Sequence, residues 1–272
     1  MDAKYSERAM PQYERAVALA GGEPVRIPLD RSAAEVTALL KTCDAVLLPG
    51  SPADVDPAKF KQSRSERTAA ADPRRDEVDS VLLDDACAQG KPVLGICYGL
   101  QSLNVYRQGS LVQHIPDFLP EETRGKVDHA IGKKRPIAHT VEIERNSELA
   151  RIICGNSRPR LSGRAQLGSN NNLDREGHEF TRAESGLEEG AALAAEGSPI
   201  LVPVNSSHHQ SADASGDGLR IVARCPDDGI IEALEGTAPD HFVLAVQWHP
   251  ERSVEDDEVS RAIFRALIEA AG

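Results

Sequence analysis

Aromatic side chains make up only 4% of the 272 residues, with a single tryptophan among them. Platforms on which single-stranded nucleic acid stacks need such rings, so that function class is set aside. An excess of positive charge is missing too. With 31 basic against 43 acidic residues, the net charge of −12 repels phosphate backbones and anionic lipid. No apolar run approaches the ~20 residues of a membrane span, and the opening MDAKYSERAM has no signal-peptide core. These absences predict a soluble cytoplasmic protein with neither a nucleic-acid nor a membrane partner. Cysteines number five, and no pair has C-x-x-C spacing, which argues against a disulfide framework or a zinc site built on thiolates. No metal ligands converge at a recognisable spacing, and GICYG (95–99) lacks the lysine of a phosphate loop. Neither a metal nor a cofactor is expected.

Hydrophobic residues at 40% and charged residues at 27%, over this length, are ordinary for a globular protein with a substantial core. QYERAVALAGG (12–22) reads as a helix ended by glycine, followed by a short strand, PVRIP (24–28). Ser32 and Glu35 form a capping box that opens the helix AAEVTALLK. The strand AVLLPG (45–50) comes next, then a helix from Pro73 with Asp72 before it and Gly90 after it, then the strand PVLGIC (92–97). Repeated β-α units with continuous apolar strands predict an α/β fold, its mostly parallel central sheet covered by helices on both faces. Later segments, RPIAHTVEIE, ILVPVNSS, LRIVAR, GIIEALEG and HFVLAVQW, read as strands joined by short loops and predict a small antiparallel flank. SVEDDEVSRAIFRALIEAAG closes the chain as a docked amphipathic helix with Ser253 as its N-cap. Residues 154–190 are polar and without periodicity, which predicts a disordered or mobile insertion within a single domain, 1–272.

One cysteine stands where an apolar strand meets a helix. In PVLGICYGLQSLNV, Gly95 and Gly99 flank Cys97 as G-x-C-x-G, the spacing of a nucleophile elbow with cysteine in place of serine. Small flanking residues suit a turn that crowds backbone against neighbouring strands. AVQWHPE (245–251) supplies a partner: the imidazole of His249 can take the thiol proton, and the carboxylate of Glu251 can orient the ring. LLPGSPADVDP (47–57) ends a strand at Gly50, whose backbone N–H, with that of Tyr98, can stabilise an oxyanion. Lone histidines such as His114, His129, His139 and His241 read as structural or solvated.

LLPGSPADVDP, DPRRDEVDSVLLDDA, PVLGICYGLQSLNV, VNSSHHQS and AVQWHPE occur in the order seen in class I glutamine amidotransferase-like proteins. More narrowly, the chain resembles the γ-glutamyl-γ-aminobutyrate hydrolases, the class I amidotransferase-like peptidases. The resemblance implies a flavodoxin-like arrangement, a Cys97–His249–Glu251 triad, an oxyanion hole at Gly50 and Tyr98, and a glutamyl-binding site at Gln101, Ser207 and His208. It implies no cofactor, a small γ-glutamyl substrate and a homodimer. Hydrolysis of a γ-glutamyl amide to release glutamate is the leading expectation. A glutaminase subunit that passes ammonia to a synthetase, and a catalytically inactive relative, are the alternatives. Family members usually open with a strand of the type I-G-I-T, whereas here the chain begins almost at the first helix. The resemblance places that strand between PVRIP and AVLLPG. YRQGS (106–110) and Tyr98 also depart from the family, which commonly has a glycine pair and an arginine there.

Overall fold

The computed structural model describes residues 3–133, 137–155 and 199–272. The chain order is α1 (Ala3–Leu19), α2 (Ala33–Leu40), β1 (Val46–Leu48), α3 (Pro73–Gln89), β2 (Val93–Ile96), α4 (Tyr98–Tyr106), β3 (Leu111–Val112), α5 (Ile115–Phe118), β4 (His139–Ile143) and α6 (Glu148–Ile153). After residue 199 come β5 (Ile200–Val204), β6 (Ser211–Ala212), β7 (Leu219–Arg224), β8 (Ile231–Gly236), β9 (Val243–Val246) and α7 (Glu258–Ala271). Beyond Gly155, the polar stretch expected at 154–190 lies outside the described residues.

Local chemistry sets the helix ends. Ser32 Oγ accepts from the Glu35 N–H at 3.3 Å, and the Glu35 carboxylate accepts from the Ser32 N–H at 2.9 Å, closing the capping box of α2. Asp72 accepts from the N–H groups of Arg74 and Arg75, each at 3.1 Å, and Pro73 fills the first helical position of α3. Gly90 ends α3 at φ 68°, a left-handed conformation that glycine adopts without Cβ strain. For α7 the expected cap is corrected. Asp257, not Ser253, caps the helix, its carboxylate accepting from the N–H groups of Val259 and Ser260. Ser253 instead follows a 3-10 turn over Pro250–Arg252.

Seven strands form one sheet in the order β1-β2-β9-β8-β7-β4-β5, and β3 pairs with β6 in a separate two-stranded sheet. Only β1–β2 and β2–β9 run parallel, while β9–β8, β8–β7, β7–β4 and β4–β5 are antiparallel. The expectation of a mostly parallel sheet with a small antiparallel flank is therefore corrected to a mixed sheet. Short loops join β7 to β8 and β8 to β9, and such connections permit only antiparallel neighbours. Residues 24–28 form no strand. Ile27 packs against the core, but among the described residues nothing pairs with the outer edge of β1.

Alternation along the strands divides the core. Leu94, Ile96, Leu244 and Val246 join one apolar cluster with residues of α1, α6 and α7. Val93, Val243 and Ala245 join a second with residues of α2, α3 and α4. Successive residues of a strand point to opposite faces, which accounts for the division.

Candidate active site

The junction of β2 and α4 is a strained turn. Cys97 has φ 54° and ψ −105°, and its N–H donates to the Val246 carbonyl of β9 at 2.8 Å. A side chain at such a φ costs on the order of 1–3 kcal/mol, and here the surroundings fix it. Below the turn, a Cβ on Gly99 would lie 2.1 Å from the Leu48 carbonyl oxygen of β1. One on Gly95 would lie 2.9 Å from the backbone of Gly99. The glycines on either side of the cysteine are thus a steric requirement of the crossing, not merely of the turn.

His249 and Glu251 follow β9 at the neighbouring strand end. Glu251 Oε1 accepts from His249 Nδ1 at 2.8 Å, both side chains being buried. That bond leaves Nε2, which has no regular hydrogen bond, on the side of Cys97. Burial alone would lower the pKa of His249, but Glu251 and Cys97 outweigh it and raise it to about 9. The His249 N–H donates to the Asn205 side-chain oxygen at 3.0 Å, so the loop after β5 holds the backbone of the histidine. Arg75 does the same for the other wall. Its guanidinium, paired with Asp79 at 2.6 Å, donates to the Pro49 carbonyl at 2.7 Å and lies 4.8 Å over the Tyr98 ring.

The other expected site residues fare differently. Gly50 is close to the histidine: a Cβ there would lie 3.2 Å from His249 Cε1. Its N–H, however, already donates to the Tyr13 hydroxyl at 3.0 Å, so it is not free for an oxyanion as it stands. Tyr98 is the first residue of α4, where a helix leaves its N–H groups unpaired, and its phenol donates to Asp76 at 2.8 Å. Gln101, expected at the glutamyl-binding site, lies on α4. Its amide nitrogen is committed to the Gln210 carbonyl at 3.2 Å and to the Gln247 side chain at 3.3 Å, tying α4 to the protein interior. The hydroxyl of Ser207 is buried without a hydrogen-bond partner. His208, expected at the same site, has both its nitrogens facing protein groups, the Gln210 carbonyl at 2.8 Å and Glu232 at 3.6 Å.

Tyr5 and Tyr13 of α1 were not anticipated. Their hydroxyls lie 3.1 and 3.0 Å from the position a Gly50 Cβ would take. Burial, then the nearby charges of Cys97 and Glu251, pushes Tyr5 up to about 12. Burial and Glu251 likewise raise Tyr13. Both phenols are therefore neutral O–H groups near neutral pH. The sequence signal was the tyrosine spacing on one face of α1, which by itself reads as core packing.

The peptidase C26 family model matches residues 2–163 and 164–251. A glutamine amidotransferase-like protein of Rickettsia prowazekii is 29% identical over 266 residues, covering 95% of this chain and 87% of the relative. The γ-glutamyl-γ-aminobutyrate hydrolase of Escherichia coli K12 is 29% identical over 269 residues, covering 95% and 84%. Among solved structures, one assigned to a GMP synthase subunit of Thermoplasma acidophilum aligns with a TM-score of 0.54 at 16% identity. That alignment covers 96% of this chain and 87% of the other, and it bears on the fold alone. The sequence matches run through the elbow and the strand that delivers His249, and on that extent the chain belongs to the peptidase C26 family.

Proposed function

We propose that the chain is a cysteine-dependent hydrolase that cleaves the γ-glutamyl amide bond of a small γ-glutamyl compound and releases glutamate. The observation that carries this reading is the imidazole of His249, held by Glu251 at 2.8 Å on one nitrogen and turned toward Cys97 with the other. The name of the E. coli relative, a γ-glutamyl-γ-aminobutyrate hydrolase, supports the substrate class. All five cysteines are free, which suits a cytoplasmic location.

In the proposed reaction the Cys97 thiol proton has passed to His249 before attack, and the sulfur attacks the γ-carbonyl beside the protonated imidazole. The resulting oxyanion is met by the Tyr98 N–H, and by the Gly50 N–H once the Tyr13 hydroxyl gives way. His249 returns its proton to the nitrogen as the C–N bond breaks, and the amine leaves. Water then adds to the thioester with His249 as base, releasing glutamate and restoring the thiol. A histidine that holds its proton up to a pH of about 9 is suited to the protonation step.

The test is glutamate release from a panel of γ-glutamyl amides, γ-glutamyl-γ-aminobutyrate and glutamine included, by wild type and Cys97→Ala in parallel. Release from a non-glutamine amide, lowered by a factor of about 10³ or more in the variant, is the expected result. Release from glutamine alone, and only with a synthetase present, would favour the ammonia-delivering alternative. No release from any amide would favour the inactive one.

A further inference from the structure

Away from Cys97, a second set of buried groups converges. His129 lies in the loop after α5, His139 opens β4, His208 lies in the loop after β5, and Glu232 is on β8. All four are buried, and one ligand atom from each lies within 4.8 Å of the others. Glu232 Oε1 is 3.1 Å from His129 Nδ1, 3.3 Å from His139 Nε2 and 3.6 Å from His208 Nε2. None of these three nitrogens makes a hydrogen bond of proper geometry, and neither oxygen of Glu232 accepts one.

The outward-facing nitrogens explain what the inward ones present. His208 Nδ1 is 2.8 Å from the Gln210 carbonyl, and His139 Nδ1 is 3.1 Å from the Thr140 carbonyl. A carbonyl only accepts, so each Nδ1 carries the hydrogen, and in the neutral ring each Nε2 then turns a lone pair inward. His129 Nε2 is 2.8 Å from the Asp228 carboxylate, which fixes its hydrogen outward in the same way. With all three rings neutral, three imidazole lone pairs point at a carboxylate oxygen, an arrangement that is repulsive unless a cation, or a proton on one of the rings, sits among them. Outer acceptors on each histidine are also how metal-binding imidazoles are oriented. The rings are inclined rather than stacked, edge-on at 65° for His129 with His139 and tilted at 53° for His129 with His208.

The spacing fits a particular ion. Four ligands bonded tetrahedrally at ~2.0–2.1 Å stand about 3.3–3.4 Å from one another, a spacing that the separations of 3.1, 3.3 and 3.6 Å from Glu232 Oε1 straddle. We propose that His129, His139, His208 and Glu232 bind a divalent zinc-type cation in a closed, four-coordinate structural site. Imidazole and one carboxylate suit zinc over magnesium or calcium. Cys225 and Asp228 also approach His129, but from the side of the nitrogen that faces Asp228, as an outer shell.

Such an ion would pin four chain segments at one point. The two loops already meet through backbone hydrogen bonds, the His208 N–H to the His129 carbonyl at 3.0 Å and the Gly132 N–H to the Ser206 carbonyl at 2.7 Å. The second of these loops begins with Asn205, which holds the backbone of His249. The site is thus separate from Cys97 and supports the segment that positions its partner.

The experiment is metal analysis by inductively coupled plasma mass spectrometry on desalted full-length protein, as wild type, Cys97→Ala, Glu232→Gln and His139→Ala. About one zinc per chain is expected in wild type and equally in Cys97→Ala, with zinc affinity falling more than about tenfold in the other two. Cobalt substitution of wild type should give the visible bands of a tetrahedral N/O site without thiolate charge transfer. Chelation should lower the melting temperature and zinc should restore it. Because the wild-type readings stand alone, they decide the matter even where a variant fails to fold. Protein that is metal-free, takes up no zinc on incubation and melts unchanged would overturn the proposal, as would zinc that disappears in Cys97→Ala.

Discussion

Glu251 accepts from His249 Nδ1 at 2.8 Å, and that one acceptor decides which nitrogen faces the thiol. In Glu251→Gln the side chain can turn its NH₂ toward the ring and favour the wrong tautomer, so turnover should fall about 10²- to 10⁴-fold. The same variant removes the charge that opposes the burial of His249, so the imidazole should titrate well below its wild-type value of about 9. An NMR titration of the ring reads this directly; an unchanged titration would mean that Glu251 does not hold the ring. The turn at Cys97 and the placing of His249 and Glu251 just beyond a strand were legible in the sequence because both are local patterns. Asn205, Tyr13 and Arg75 were not, since each acts across the fold on a backbone atom that carries no residue-type signal. The contact of His208 with Glu232 was hidden for the same reason, since that carboxylate sits on a separate strand, β8.

At the scale of elements, caps and crossings decide what a segment tolerates. The N-terminus of α7 rests on Asp257, whose carboxylate accepts from the N–H groups of Val259 and Ser260. Asp257→Ala should therefore lower stability by about 1 kcal/mol in denaturant unfolding. Gly99→Ala should do more. Its Cβ would enter the Leu48 carbonyl at 2.1 Å, and neither β1 nor α4 can retreat without disturbing Cys97. A loss of about 1–3 kcal/mol is expected, together with reduced glutamate release; an unaffected variant would show that the crossing of β1 and α4 is loose. The helices and most strands were readable from apolar period and capping residues. Strand direction was not, because an apolar run carries no sign of parallel or antiparallel pairing. PVRIP shows the other limit, since a segment with strand composition forms no strand without a neighbour to pair with.

Across the whole molecule, the charge on His249 couples the site to folding. Its pKa is raised from 6.5 to about 9 in the folded protein, so folding favours the protonated ring. The contribution to stability is full below a pH of about 6.5, and it declines as pH rises through about 9, where the folded ring gives up its proton. A shift of this size corresponds to roughly 3 kcal/mol. Unfolding free energies of wild type and His249→Gln should be measured by denaturant at pH 6 and at pH 9.5. The net charge of −12 grows more negative over the same range and destabilises both proteins alike, so it cancels in their difference. That difference should move against wild type by up to roughly 3 kcal/mol between the two pH values. A difference that stays flat would mean that His249 titrates alike in the folded and unfolded chains. In that case the pairing of the imidazole with Glu251 and Cys97 would not be what holds its proton.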